Sequence, residues 1–412
     1  MKCVTRLAIF SVVLIACTSC QAKEAIRQPS DASVVLPPDD AGGDASETPG
    51  FSRGDLLAAF GACALDRAQD FLTRSGTLET ALAALVASPG DGNRDSARAA
   101  LRAAFASWQE SEVLQLGPAA PVSVAGGQDL RDQIYSWPLV SRCAVEETLV
   151  SQGYAQPGFA GAVVNRRGLA ALEVLLFHDG ADTACGPTSV IVSSGSWAAL
   201  DDSERAARRR AYALAAAADV RARATTLVAA WSPGQGDFLR TLASAGPGNP
   251  TYPTTQSALN AVSDALFYVE AISKDLKLAP AIGLRDCDVA PCPALLESQY
   301  AALNKAHLAA NLRGFRRIVE GCGAGYGGLG LDDLLVAVGG GTVAASLRTR
   351  ALAAEAALAA IVQPDLAAAL AADPQSVRAV YDAFKALSDV MKTDLVSVLD
   401  LELPASVEGD ND

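Results

Sequence analysis

Arg167-Gly168-Leu169-Ala170-Ala171-Leu172-Glu173-Val174-Leu175-Leu176-Phe177 is the stretch on which the fold class turns. Leu169, Leu172, Leu175 and Leu176 recur three and four residues apart, the spacing of one helix face. The run has no alternation of apolar and polar residues, and it forms the end of a helix predicted over 160–177. It carries one charge. A carboxylate among leucines must be paired or hydrogen-bonded once buried. Glu173 is therefore either a structural ion-pair partner of Arg131 or Arg142, or a carboxylate kept in a pocket.

Outward from this helix the pattern stays helical. Helices are predicted over 55–86 with an interruption near Gly76, over 94–116 ended by Gly117-Pro118, and over 139–150. Further helices are predicted over 197–231, 254–276, 293–319, 342–362 and 374–399. Asp201-Asp202-Ser203-Glu204 supplies a capping arrangement, and Asp373-Pro374 a cap followed by proline at the first helical position. No segment sustains strand alternation, and the chain is 50% hydrophobic but only 6% aromatic. The expectation is an all-α protein of antiparallel bundles. Gly246-Pro247-Gly248-Asn249-Pro250 is the strongest internal breaker and divides it into halves, 51–245 and 246–412. Gly321 to Gly330 lacks the Lys-Ser/Thr of a phosphate-binding loop and follows no strand, so it reads as a flexible loop.

The N-terminus reads as an export signal. Lys2 and Arg6 precede the apolar run Leu7–Ala16, which is too short to span a bilayer. Leu14-Ile15-Ala16-Cys17 resembles a bacterial lipobox. Residues 1–16 are thus expected to be a lipoprotein signal peptide, with Cys17 as the lipidated anchor. Cys20 is a poorer candidate, and the alternative is an ordinary secretory peptide. Residues 17–50 hold few large apolar side chains and read as a tether. Thr18 and Ser19, with no Asp beside the anchor, fit sorting to the outer membrane, with the domain in the periplasm or at the cell surface. Partners are then a membrane reached through the lipid, and no nucleic acid, since the net charge is −13 and nucleic acid calls for a basic footprint.

Beyond Cys3, Cys17 and Cys20 six cysteines remain: Cys63, Cys143, Cys185, Cys287, Cys292 and Cys322. An even set in an oxidising compartment predicts disulfides and leaves their pairing open. Zinc is disfavoured, because no Cys-x-x-Cys pair occurs among these six and the chain has two histidines.

The segment Arg167–Phe177 resembles the core of the imelysin family, also called M75 peptidase-like proteins, which include iron-regulated envelope lipoproteins. Five other stretches follow in that family's order. They are Trp108 followed by Gly117-Pro118; Arg131, Ile134 and Trp137-Pro138; Asp275-Leu276-Lys277-Leu278; Asn311-Leu312-Arg313-Gly314-Phe315; and the acidic end at 409–412. The resemblance covers roughly residues 55–412. It implies an all-helical fold of two bundle halves, a place in the bacterial envelope, and iron or another divalent metal as a cofactor, with iron-uptake proteins as partners.

The resemblance also implies a Gly-x-His-x-x-Glu motif, with imidazole and carboxylate on one helix face as metal ligands. Here Gly168 and Glu173 stand in place, but the His position is Ala170, which cannot ligate. His178 lies five residues past Glu173, about 140° round the helix, and His307 reads as structural. A catalytic metal centre normally needs three protein ligands. No catalytic residue is therefore assigned, and Glu173 is the only metal-ligand candidate. Gly168, Glu173, Arg131, Trp137 and Trp108 are the candidate ligand-binding residues. Trp108 and Trp137 read more readily as core aromatics than as ligand-stacking residues, and Arg131 either as a partner of Glu173 or as a group for an anionic ligand. The expected function is a non-enzymatic envelope lipoprotein binding a ligand or partner in an iron context. A metallopeptidase and a structural surface module are the alternatives.

Overall fold

Ser52 opens the first long helix by accepting the backbone N–H of Asp55, whose carboxylate takes the Ser52 N–H in return. This reciprocal cap satisfies two of the donors a helix start leaves without partners. The computed structural model describes residues 50–405 and 407. The predicted signal peptide, Cys17, most of the tether and the acidic end lie outside the described residues.

Helix α1 (Arg53–Ala87) runs unbroken through Gly76, where an interruption was expected. A helical glycine costs about 1 kcal/mol against alanine. Leu78, Leu82 and Leu85 beyond it are all buried, each contributing about 1.5–3 kcal/mol, so packing outweighs propensity. α2 (Asp91–Ser111) returns along α1. Then come the short α3 (Leu130–Ile134), α4 (Arg142–Ser151), α5 (Gly168–Phe177) and α6 (Val190–Ser193). α7 (Asp202–Trp231) is capped by the Asp201 carboxylate, as the sequence predicts. Its buried face holds Ala213, Ala216, Ala217 and Ala224, small residues that let α1 pack closely against it.

The chain continues through α8 (Phe238–Ala243) and α9 (Thr255–Leu266), followed by a π-helical turn at Val269–Lys274. α10 (Asn304–Val319) packs on α2. Gly314 sits at that crossing, where a Cβ would stand 2.1 Å from the Glu110 carbonyl oxygen. α11 (Leu331–Ala337), α12 (Gly341–Ala360), α13 (Leu366–Ala372), α14 (Pro374–Val390) and α15 (Val396–Leu399) complete the order. Asp373 caps α14 with Pro374 at its first position.

The fold is all-α, with no β-strand among the described residues. The helices belong to one compact unit, and none is long and apolar enough to cross a membrane. Several expected boundaries move, among them the start of α7, at Asp202 and not at residue 197, and the end of α9, at Leu266 and not at residue 276. α4 begins at Arg142 and not at residue 139; α5 begins at Gly168, preceded by 3-10 turns; and α10 begins at Asn304 and not at residue 293. The last shift has a cause inside the site. The six cysteines pair as Cys63–Cys322, Cys143–Cys185 and Cys287–Cys292.

Candidate functional site

Gly168 starts α5 with φ +81°, and a Cβ there would lie 2.8 Å from the Ile134 carbonyl oxygen. Only glycine takes that conformation and that approach without strain. The close contact joins α5 to the segment after α3. The Ala170 N–H donates to the Tyr135 carbonyl at 3.1 Å, and Ser136 Oγ donates to the Arg167 carbonyl at 2.8 Å. Trp137, followed by a cis peptide to Pro138, is thereby set beside Ala170 and Glu173.

Glu173 is buried, and neither arginine expected as its partner reaches it. Its Oε1 accepts three hydrogen bonds, from Ser298 Oγ, the Tyr300 N–H and the Ala301 N–H, each at 2.9 Å. Arg131 instead meets Glu112 at 3.0 Å and Asp132 at 2.9 Å, while Arg142 pairs with Glu146 and Asp182. The correction has a physical reason: a loop presenting converging N–H groups satisfies a carboxylate without burying a second charge. It also explains the late start of α10, since backbone donors bound to Glu173 are withheld from a helix, and Ala302 adopts φ +58°. Burial pushes the Glu173 carboxyl upward, opposed by these hydrogen bonds and by His307.

Next to Glu173 lies a second carboxylate that the sequence did not single out. Glu297 receives Lys277 Nζ at 3.0 Å, Gln109 Nε2 at 3.1 Å, His307 Nδ1 at 2.9 Å and the Tyr135 hydroxyl. Lys277 also donates to Gln109 Oε1 at 2.7 Å and Asn311 Oδ1 at 2.9 Å, and faces the Tyr268 ring at 5.3 Å. Tyr268 in turn donates to Glu112. Burial alone would raise the Glu297 carboxyl, but Lys277 and His307 hold it well below the usual carboxylate range. Burial pushes the Lys277 ammonium down, opposed by Glu297 and Glu112. The motif residues Arg131, Trp137, Lys277 and Asn311, distant in sequence, thus converge on one buried polar network. Glu297 itself went unread because it sits in a segment taken for helix; Lys277 was the available signal.

A recess of about 190 Å³ opens beside this network, lined by Trp137, Arg142, Ala170, Glu173, Glu297 and Tyr300. Arg131 and Trp108 are not among its lining residues. Arg131 is forked onto Glu112, and Trp108 packs on Phe71 with ring centroids 4.8 Å apart. His178 faces the Tyr300 ring at 5.3 Å and lies 3.4 Å from Asp182. His307 is buried, with one nitrogen on Glu297 and its Nε2 without a protein partner.

The residues at Glu173 do not fit a three-ligand metal centre. Among the described residues, only Cys143, Glu147 and Cys185 bring three ligand atoms within 4.8 Å. Those two cysteines form a disulfide and offer no thiolate. At the motif itself Ala170 supplies nothing, and one oxygen of Glu173 is already saturated.

Fold and site together define a helical protein organised round paired buried carboxylates and a lysine. Residues 64–393 match the family described as Imelysin, Peptidase_M75, so the chain belongs to the imelysin family. Among solved structures it is similar to one from Parabacteroides distasonis named as an iron-regulated protein A precursor. The TM-score is 0.64 at 16% identity, covering 88% of this chain and 97% of that one. It is also similar to an imelysin-like protein from Psychrobacter arcticum, with TM-score 0.62 at 18% identity, covering 86% and 98%. Among curated proteins none matches.

Proposed function

We propose that this chain is a non-enzymatic, lipid-anchored envelope protein that binds a ligand or partner in an iron-acquisition context. The observation that carries the non-enzymatic part is the pairing of Ala170 with a Glu173 already committed to the 298–301 loop. A hydrolytic metal must hold an activated water on about three protein ligands, and this motif offers one free carboxylate oxygen. The lipobox ending at Cys17 and three disulfides support an oxidising compartment outside the cytoplasm. The name of the Parabacteroides relative supports the iron context. The recess between Trp137 and Glu297 is the place we assign to the ligand or to a partner's side chain.

The test is direct. The mature protein is incubated with an unstructured protein substrate and ferrous iron or zinc, with and without chelator, beside Glu173→Ala. Unchanged substrate throughout is the expected result. Chelator-sensitive cleavage that disappears in Glu173→Ala would overturn the reading. Metal titration of the same two proteins should give indistinguishable uptake at this motif.

A further inference from the structure

Helix α7 carries Arg205, Arg208, Arg209 and Arg210 within six residues. Arg205 and Arg209 stand one turn apart, a spacing at which like charges disfavour a helix. Two of the four are neutralised: Arg208 by Glu204 at 2.5 Å, and Arg205 by Asp202 at 2.7 Å. Among the described residues no carboxylate comes within ion-pair distance of Arg209 or Arg210. Arg209 donates only to the Gly180 carbonyl, at 2.7 Å.

These side chains face a cleft of about 590 Å³, whose lining includes Arg94, Arg205, Arg209, Arg210, Leu175 and Leu176. Its size is that of a small-molecule site. The Arg205 side chain is only 7% exposed, and its Nε–H is buried without an acceptor, as is that of Arg94. A buried charged donor without an acceptor is an arrangement that folding alone disfavours. The first turn of α2 also borders the cleft, and its N-cap Gly90 provides no side-chain cap. The rim carboxylates are spent on other cations, Asp91 on Arg94, Asp179 on Arg98 and Asp202 on Arg205, which leaves Arg209 and Arg210. Asp91, Asp179 and Asp202 have side chains 87%, 66% and 93% exposed, where water and salt screen them. Burial and the neighbouring Arg205 push the Arg209 guanidinium down, opposed by Asp179 and Glu146.

The larger hollow beside the glycine-rich loop, about 810 Å³, differs on this point. Its Arg67 and Arg317 both pair with Glu110.

We propose that the cleft between α7 and the α1–α2 turn is an anion site for a small oxyanion, a polycarboxylate or a phosphate. Arg209 and Arg210, which line the cleft without a carboxylate partner, provide the charge and the guanidinium donors. Guanidinium forks match the paired oxygens of carboxylate and phosphate. In a protein of net charge −13, two neighbouring guanidinium groups without carboxylate partners draw such anions locally. Leu175 and Leu176 line this cleft, whereas Ala170, Glu173 and Val174 line the recess, so α5 separates the two sites.

The experiment is calorimetric titration of the mature protein with citrate and, separately, with inorganic phosphate. The proteins are wild type, Arg209→Ala/Arg210→Ala, Arg210→Ala alone and Glu173→Ala. Arg210 has no side-chain hydrogen bond to lose, so its single variant keeps the fold. The expected result is binding of at least one anion with Kd below about 1 mM, weakened about tenfold or more by the double change and measurably by Arg210→Ala. Glu173→Ala should bind as wild type, which separates this site from the function proposed above. Preference for citrate identifies a polycarboxylate ligand, and preference for phosphate a phosphorylated one. No heat with either anion at about ten times that concentration, or equal binding by folded Arg210→Ala and wild type, would overturn the proposal.

Discussion

The Oε1 atom of Glu173 lies 2.9 Å from the backbone nitrogen of Ala301, a residue 128 positions further along the chain. With Ser298 and Tyr300 on the same oxygen, one carboxylate in α5 fixes the loop that leads into α10. The same loop carries Glu297 into the Lys277 network. Glu173 thus sets the geometry of the neighbouring site through the backbone.

Replacing Glu173 by alanine leaves three donors without an acceptor, two of them buried. The expected loss is about 2–4 kcal/mol, read as a lower urea midpoint with faster amide exchange at residues 298–301. Glu173→Gln keeps an oxygen in place and removes the charge that burial disfavours, so it should stay within about 1 kcal/mol of wild type. Equal losses for both variants would contradict the clamp.

The Lys277–Glu297 pair gives a second expectation. Lys277→Met leaves Glu297 charged and buried, at about 3–5 kcal/mol. Adding Glu297→Gln removes the stranded charge, so the double variant should recover much of that loss in urea melts. A double variant less stable than Lys277→Met would show that the pair does not act as a unit.

Asp332, half-buried beside Asp333, has its carboxyl pushed up to about 6 from 3.8, by burial first and then by its neighbour. With the folded value raised, its contribution is fully present below pH 3.8 and is lost as pH rises through about 6. Asp332→Asn should therefore melt like wild type near pH 3.5. Above pH 6.5 it should be more stable, by about 1 kcal/mol after allowance for solvent screening. Melting curves across that range check the sign.

The disulfides close loops of very different length, with sequence separations of 259, 42 and 5. Chain entropy ranks their contributions at about 5–6, 4 and 2 kcal/mol. Replacing both cysteines of a pair by serine, one pair at a time, should lower the denaturation midpoint in that order.

Local signals were legible in the sequence and distant ones were not. The caps at Asp201 and Asp373-Pro374 stand where expected, because a cap depends on residues within one turn. That Glu173 must be satisfied was readable from its leucine neighbours. That backbone N–H groups satisfy it was not, since a backbone donor leaves no mark in residue type. Arg131 is expected beside Glu173, but the carboxylate it meets is Glu112. Pro293 to Val319 looked helical throughout because its composition is helical, and the competing carboxylate lies on another helix. The cysteine pairing depended on which helices meet, which spacing does not encode.

Cys63 stands in the first long helix, and its partner, Cys322, follows α10. A chain delivered from its N-terminus therefore cannot seal this bond until residue 322 has arrived, however early α1 forms. Any product cut short before that point leaves Cys63 without its native partner. The bond thus works as a test of completeness: thiol labelling distinguishes a finished domain from an interrupted one, and oxidative quality control can read the same difference.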